Sequence, residues 1–121
     1  MSNPPYIDPS DLKSLPVSVA RFEDHRALFA EDRGLACIAR ILLLATRLVK
    51  ASNMIGDGDN AIPSVQEPNL VVEFGGDSQV DSIRALLKAK QDVGELRWFQ
   101  IHQDYAGHAR WFSCRVNPSL L

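Results

Sequence analysis

The chain has 121 residues, of which 45% are hydrophobic, and its 13 basic and 15 acidic side chains give a formal net charge of -2. A chain of this length buries roughly two-thirds of its surface on folding, so we expect one core and one domain, and the apolar fraction argues against a disordered chain. The near balance of charge disfavours a generally basic nucleic-acid binder and a membrane-surface protein.

Four of the seven prolines fall within residues 1–20, where they fix backbone angles and remove amide donors. We therefore predict an extended N-terminal arm over 1–20 and a single α+β domain over 21–121. The first five residues lack the basic stretch and the apolar run of a secretory signal, and Arg40 and Arg47 interrupt the most apolar region. A cytoplasmic protein without membrane contact is the expectation.

A helical pattern runs from about Val17 to Asn53, and Gly34 is expected to divide it, because glycine disfavours a helix interior. At about 100° per residue, one stripe of the second piece collects the apolar side chains that should face the core. These are Leu35, Ile38, Ile41, Leu42, Ala45, Leu48 and Val49.

Two further leucines, Leu43 and Leu44, fall outside this stripe, on the side of the helix that carries Arg40 and Arg47. Apolar side chains on a second face are typical of a helix contacted on two sides, as at a homodimer or adaptor interface. We predict an oligomer interface at these four residues. The alternative is a helix that lies deep in its own core.

The run Gly56–Asn60, followed by Pro63 and Pro68, contains residue types that form turns and predicts a long loop between Ser52 and Asn69. The β-branched run Leu70–Phe74 then predicts a strand. A helix over 78–93 follows, with Asp77 or Ser78 as its N-cap and a glycine just after its end.

A β-hairpin is predicted at the end of the chain, with strands over 96–103 and 108–116 and a turn at Asp104–Gly107. The strand before the helix and the first hairpin strand form a strand–helix–strand unit, which normally leaves its strands parallel. The predicted fold class is therefore α+β: a small mixed β-sheet of about three strands with a C-terminal hairpin, packed with two or three helices.

The turn length determines which hairpin residues share a face. With a four-residue turn, the core-facing residues are Phe99, Ile101, Phe112 and Cys114. The outer face then carries both tryptophans, and tryptophan is enriched at binding hot spots. The predicted partner-binding residues are Trp98, Trp111, His102, Arg115 and Arg110. The alternative is that the first helix covers this face and both tryptophans belong to the core.

Nucleic-acid binding is a second use for the same hairpin, since aromatic stacking and arginine contacts to phosphate act together on single strands. A metal site is not predicted, because His102, Asp104 and His108 flank the turn without a fourth ligand. Two cysteines, Cys37 and Cys114, are too few for a disulfide framework, and we expect Cys37 to be a buried thiol.

No cofactor and no catalytic residue is predicted from motif spacing. We therefore expect a non-catalytic interaction or adaptor protein that acts through protein–protein contacts, either self-associating or as a subunit of a larger complex. Nucleic-acid binding through the Trp/Arg hairpin face is the first alternative. A small enzyme whose site forms only in three dimensions is the second.

Overall fold

The computed structural model describes residues 1–5, 7, 9–24, 26, 34–54 and 67–118. Of the loop predicted between Ser52 and Asn69, residues 55–66 lie outside the described residues.

The described chain contains α-helices and short 3-10 segments. A 3-10 helix at Pro9–Ser14 precedes α1 (Val17–Phe22) and the long helix α2 (Leu35–Met54), and a 3-10 turn at Asp77–Gln79 leads into α3 (Val80–Asp92). Gly34 has a φ of 81° and stands directly before α2, as expected for a glycine that interrupts a helical pattern. No helix of the described residues is both long enough and apolar enough to cross a bilayer.

One three-stranded sheet contains β1 (Leu70–Glu73), β2 (Leu96–Gln103) and β3 (Ala109–Val116) in the order β1-β3-β2. Both neighbours are antiparallel to β3, so β1 and β2 run in the same direction, with β3 between them. A parallel bridge between Ser2 and Val72 extends the sheet beyond β1. These strands and helices confirm the predicted α+β fold class.

The core lies between one face of the sheet and the two longer helices. Its fully buried members include Ile38 and Leu42 from α2, Ile83 and Leu87 from α3, and Phe112 from β3. Phe74 also packs against Phe112, with ring centroids 6.5 Å apart. Because side chains alternate along a strand, α2 and α3 both cover the face of β3 that presents Phe112, and the opposite face belongs to a different surface.

Helix α2 confirms most of the predicted apolar stripe and corrects it at one position. Ile38 and Leu42 are fully buried, and Val49 packs at the margin of the core. Leu48 was expected to face the core but is 67% exposed. It lies at the edge of the stripe, about 100° from Val49, where the helix surface already turns away from the sheet.

Helix α3 ends as predicted but begins differently. Gly94 has a φ of 78° and donates its N–H to the Gln91 carbonyl, while the Glu95 N–H donates to Lys90, which is the paired pattern of a glycine C-cap. At the other end, the N-cap residue is Gln79 and no side-chain cap hydrogen bond forms. The predicted N-cap at Asp77 or Ser78 is therefore wrong.

Candidate functional site

The hairpin turn forms at the predicted residues Asp104–Gly107, but five residues, 104–108, separate β2 from β3, where a loop of four was predicted. A register shift between His102 and Gln103 offsets the extra residue. The Gly107 N–H donates to the Asp104 carbonyl at 3.0 Å, and Gly107 has a φ of 84°. The register then pairs Phe99 with Cys114 and Ile101 with Phe112. The predicted core-facing set is confirmed.

The outer face of the sheet carries the two tryptophans, and we call it the tryptophan face. Its residues on β2 and β3 are Trp98, Gln100, His102, Trp111, Ser113 and Arg115. Both tryptophans are half-buried, and α2 and α3 pack on the opposite face of the sheet. The two longer helices therefore do not cover the tryptophan face.

A small stacked assembly lies at the centre of the tryptophan face. The His102 ring stacks on Trp111 with centroids 5.5 Å apart and an interplanar angle of 8°. Nε2 of the same imidazole lies 2.7 Å from the Ser113 Oγ. The stacking contact with Trp111 and the hydrogen bond with Ser113 hold the imidazole in a defined orientation.

The arginines predicted to contact a partner both have partners within the chain. The Arg115 Nη1 donates to the carbonyl of Glu67 at 3.2 Å, and the Arg110 Nε donates to Asp104 Oδ2 at 3.0 Å. Arg110 is thus turned toward the hairpin turn, whereas Arg115 lies on the tryptophan face.

A polar cluster, which we call the turn cluster, joins the hairpin turn to the start of α3. Its residues are Asp77, Asp104, His108 and Arg110. The Asp104 carboxylate accepts hydrogen bonds from Arg110 Nε and from the N–H groups of His108 and Ala106. The Arg110 guanidinium, followed by the His108 N–H, lowers the pKa of Asp104 below its ordinary value.

The Asp77 carboxylate connects the 3-10 turn before α3 to the start of β3. Its Oδ1 accepts from the Ala109 N–H and its Oδ2 lies 2.8 Å from His108 Nδ1. The Ala109 N–H, followed by the His108 side chain, lowers the pKa of the Asp77 carboxyl. The oxygens that sequence reasoning assigned to an N-cap instead hold the first residue of β3.

Two amide side chains were missed by sequence reasoning although both hold backbone in place. The buried Gln79 accepts the Gly75 N–H at 2.7 Å, so the Gly75–Gly76 link is bound from within the chain. Asn69 accepts the Val116 N–H and donates to the Val116 carbonyl, which continues the β1–β3 pairing with a side chain. Their sequence positions give no signal, because the contacts depend on where distant backbone lies.

The groups considered for metal binding or nucleophilic chemistry do not converge within the described chain. His102 pairs with Ser113 while His108 pairs with Asp77, and no group of three potential ligands among the described residues could hold a metal ion. Cys114 is buried, and burial raises the pKa of its thiol to about 12, so it is protonated at neutral pH. Cys37 is partly exposed, which corrects the expectation of a buried thiol.

A second surface, which we call the leucine face, lies on α2. Leu43, Leu44 and Leu48 are 45%, 51% and 67% exposed, and Arg40 and Arg47 are exposed beside them. Side chains three, four, seven or eight positions apart lie on the same side of a helix, and the other four residues have that spacing from Arg40. The predicted interface residues therefore form one continuous exposed face, so α2 is not sunk in its own core.

Two clefts border these surfaces. One, of about 560 Å³, lies between the N-terminal turns of α3 and the second half of β2. The other, of about 390 Å³, lies beside the tryptophan face and is lined by Met1, Val71, Glu73, Arg110 and Trp111.

Comparison with known proteins finds local likeness to two enzymes with the same activity. A 42-residue segment is 48% identical to the release factor glutamine methyltransferase of Staphylococcus aureus, and covers 35% of this chain and 15% of that protein. A 55-residue segment is 40% identical to the human MTRF1L release factor glutamine methyltransferase, and covers 46% of this chain and 16% of that protein. No family model matches the chain, and no solved structure matches it.

The lowered pKa of Asp77 predicts a specific dependence of stability on pH. A carboxyl whose pKa is lower in the folded state stabilises the fold above its unfolded pKa, which is ordinarily 3.8, and this contribution is lost as the pH falls through the folded pKa. Between about pH 7 and about pH 3, the free energy of unfolding should therefore fall less steeply in Asp77→Asn than in the natural chain. Urea unfolding at several pH values measures both slopes. Equal slopes would show that Asp77 is not held in the ionised form by Ala109 and His108.

Proposed function

We propose that this chain acts in the methylation of a glutamine side chain of a release factor, as part of a methyltransferase. The observation that carries the proposal is this local likeness, since a bacterial and a human protein of the same activity each match a part of this chain at 40% identity or more. The matched segments span about a sixth of those proteins, so the proposal assigns this chain a part of the enzyme and not the whole reaction.

Within that role, we assign the described residues to contact with protein and not to methyl transfer itself. Asp77 and Asp104 are bound to backbone and cationic groups, and the Cys114 thiol is protonated. The leucines of the leucine face are instead exposed, and the two tryptophans of the tryptophan face are half-buried. A methyl acceptor that is part of a protein requires such surfaces, because tryptophan and exposed leucine supply contact area.

A segment exchange tests this proposal. The matched segment of the Staphylococcus aureus enzyme would be replaced by the corresponding segment of this chain, and methylation of the release factor glutamine would be followed by mass spectrometry. We expect the chimera to add one methyl group to the glutamine, because the shared residues should support the same local structure.

The parent enzyme is the positive control, and the enzyme with the segment deleted is the negative control. A chimera that melts near the parent temperature but leaves the glutamine unmethylated would contradict the proposal, because folding would then be preserved without function.

A second proposal is that the chain works as an adaptor that self-associates through the leucine face. The supporting observation is the exposure of Leu43, Leu44 and Leu48 on one side of α2, with Arg40 and Arg47 beside them. An apolar centre with arginine at its margin resembles the composition of protein interfaces. The use of the tryptophan face and its arginines for nucleic acid stays a prediction.

Light scattering across protein concentration tests self-association. We expect the natural chain to exceed the monomer mass and Leu44→Asp to be monomeric, since a buried unpaired carboxylate opposes association. Tyr105→Asp is the matched control, because Tyr105 is fully exposed in the hairpin turn, away from the leucine face. A natural chain that is monomeric at every concentration would rule out this proposal, and circular dichroism shows whether each variant is folded.

A further inference from the structure

Strand β2 is an edge strand, and the direction of its backbone groups follows from the register. The Phe74 N–H donates to the Arg110 carbonyl, so residues 110, 112 and 114 of β3 direct their backbone groups toward β1. Alternation then directs residues 111, 113 and 115 toward β2, where they pair with His102, Gln100 and Trp98. The N–H and C=O groups of Phe99 and Ile101 therefore point away from β3, toward the open edge.

A hydrogen bond from α3 reaches the first residues of the outward edge of β2, and the edge is accessible farther along the strand. The Arg97 carbonyl accepts a hydrogen bond from Gln91 Nε2 of α3 at 3.2 Å, next to the bulge between Leu96 and Trp98. No hydrogen bond from another described element reaches the outward side of Phe99 or Ile101. Lysine and proline, which commonly protect edge strands, do not occur in Leu96–Gln103.

Helix α3 provides the second wall of a groove along this edge. The 560 Å³ cleft is lined on one side by residues 100–103 of β2 and on the other by Asp77, Val80, Asp81 and Arg84. A groove between an edge strand and a helix is the arrangement in which domains bind extended peptides by strand addition. The edge supplies backbone donors and acceptors, and the helix supplies side-chain selectivity.

We propose that the edge of β2 and the N-terminal turns of α3 bind an extended peptide segment with a basic side chain, which adds a strand to the sheet. The backbone groups of Phe99 and Ile101 form the added ladder. Val80 and Ile101 provide apolar contact in the cleft, and the exposed carboxylate of Asp81 receives the basic side chain.

Charge complementarity selects this occupant over a nucleic acid. The carboxylates of Asp77 and Asp81 line the groove together with the Arg84 guanidinium, and Asp77 is already bonded to the Ala109 N–H and to His108, so Asp81 is the carboxylate that faces a ligand. A phosphate backbone would meet that carboxylate, whereas a lysine or arginine of a peptide would pair with it. The inference does not depend on the methylation proposal, because it concerns a different surface and a general peptide ligand.

The test uses a capped heptapeptide of alternating threonine and valine with a central lysine, and a twin with glutamate in place of the lysine. Amide hydrogen exchange followed by NMR should show that the lysine peptide slows exchange at Phe99 and Ile101 by about tenfold at saturation. The glutamate twin should bind about fivefold more weakly, because its carboxylate would meet that of Asp81.

Two charge variants separate the groove from general electrostatics. Asp81→Lys should weaken binding of the lysine peptide and favour the glutamate twin, whereas Asp92→Lys, at the other end of the same helix, should bind both peptides as the natural chain does. Circular dichroism confirms that both variants are folded.

Three outcomes would overturn the proposal. One is that neither peptide binds at millimolar concentration. Another is binding that leaves the exchange of Phe99 and Ile101 unchanged, which places the peptide elsewhere. The third is protection of these amides without peptide in a dimer, which would show that a second copy of the chain occupies the edge.

Discussion

Strand β3 lies between β1 and β2 and is hydrogen-bonded to both. This central position determines which side chains face the helices and which face the opposite side of the sheet. Phe112 and Cys114 point to the helices and are fully buried, so α2 and α3 must pack on that face. Trp111 and Ser113 consequently point to the opposite face. The two ends of β3 are fixed from outside the ladder, by the Asp77 carboxylate at Ala109 and by the Asn69 side chain at Val116.

This arrangement leaves three surfaces that other elements of the described chain do not fully cover. The tryptophan face is the outer side of the sheet, the leucine face is the outer side of α2, and the groove follows the edge of β2. All three suit contact with protein: aromatic and aliphatic side chains bury apolar area, and an edge strand offers backbone hydrogen bonds. A chain that forms part of a larger methyltransferase would be expected to present such surfaces, because the rest of the enzyme and its protein substrate both require contact area.

The elements that were predicted from sequence depend on local signals. Asp104 and Gly107 specify the hairpin turn, and strand alternation specifies which residues share a face. The five-residue loop and the register shift that offsets it, between His102 and Gln103, could not be predicted. The contacts that could not be predicted join distant parts of the chain: Asp77 and Ala109 are 32 residues apart, and Asn69 and Val116 are 47 apart. Leu48 was misplaced because periodicity gives the angle of a side chain around the helix, and not where the neighbouring sheet ends. Likewise, no residue spacing in this chain indicates methylation.

Amide hydrogen exchange along the hairpin of the free chain tests the central position of β3 most directly. Exchange is slowest where an amide is hydrogen-bonded within a cooperative core. The account predicts that the amides of residues 111–115 exchange most slowly, and that those of Phe99 and Ile101 exchange fastest within β2. Fast exchange along β3, or equal protection of Phe99 and Ile101, would contradict the strand order and the open edge of β2.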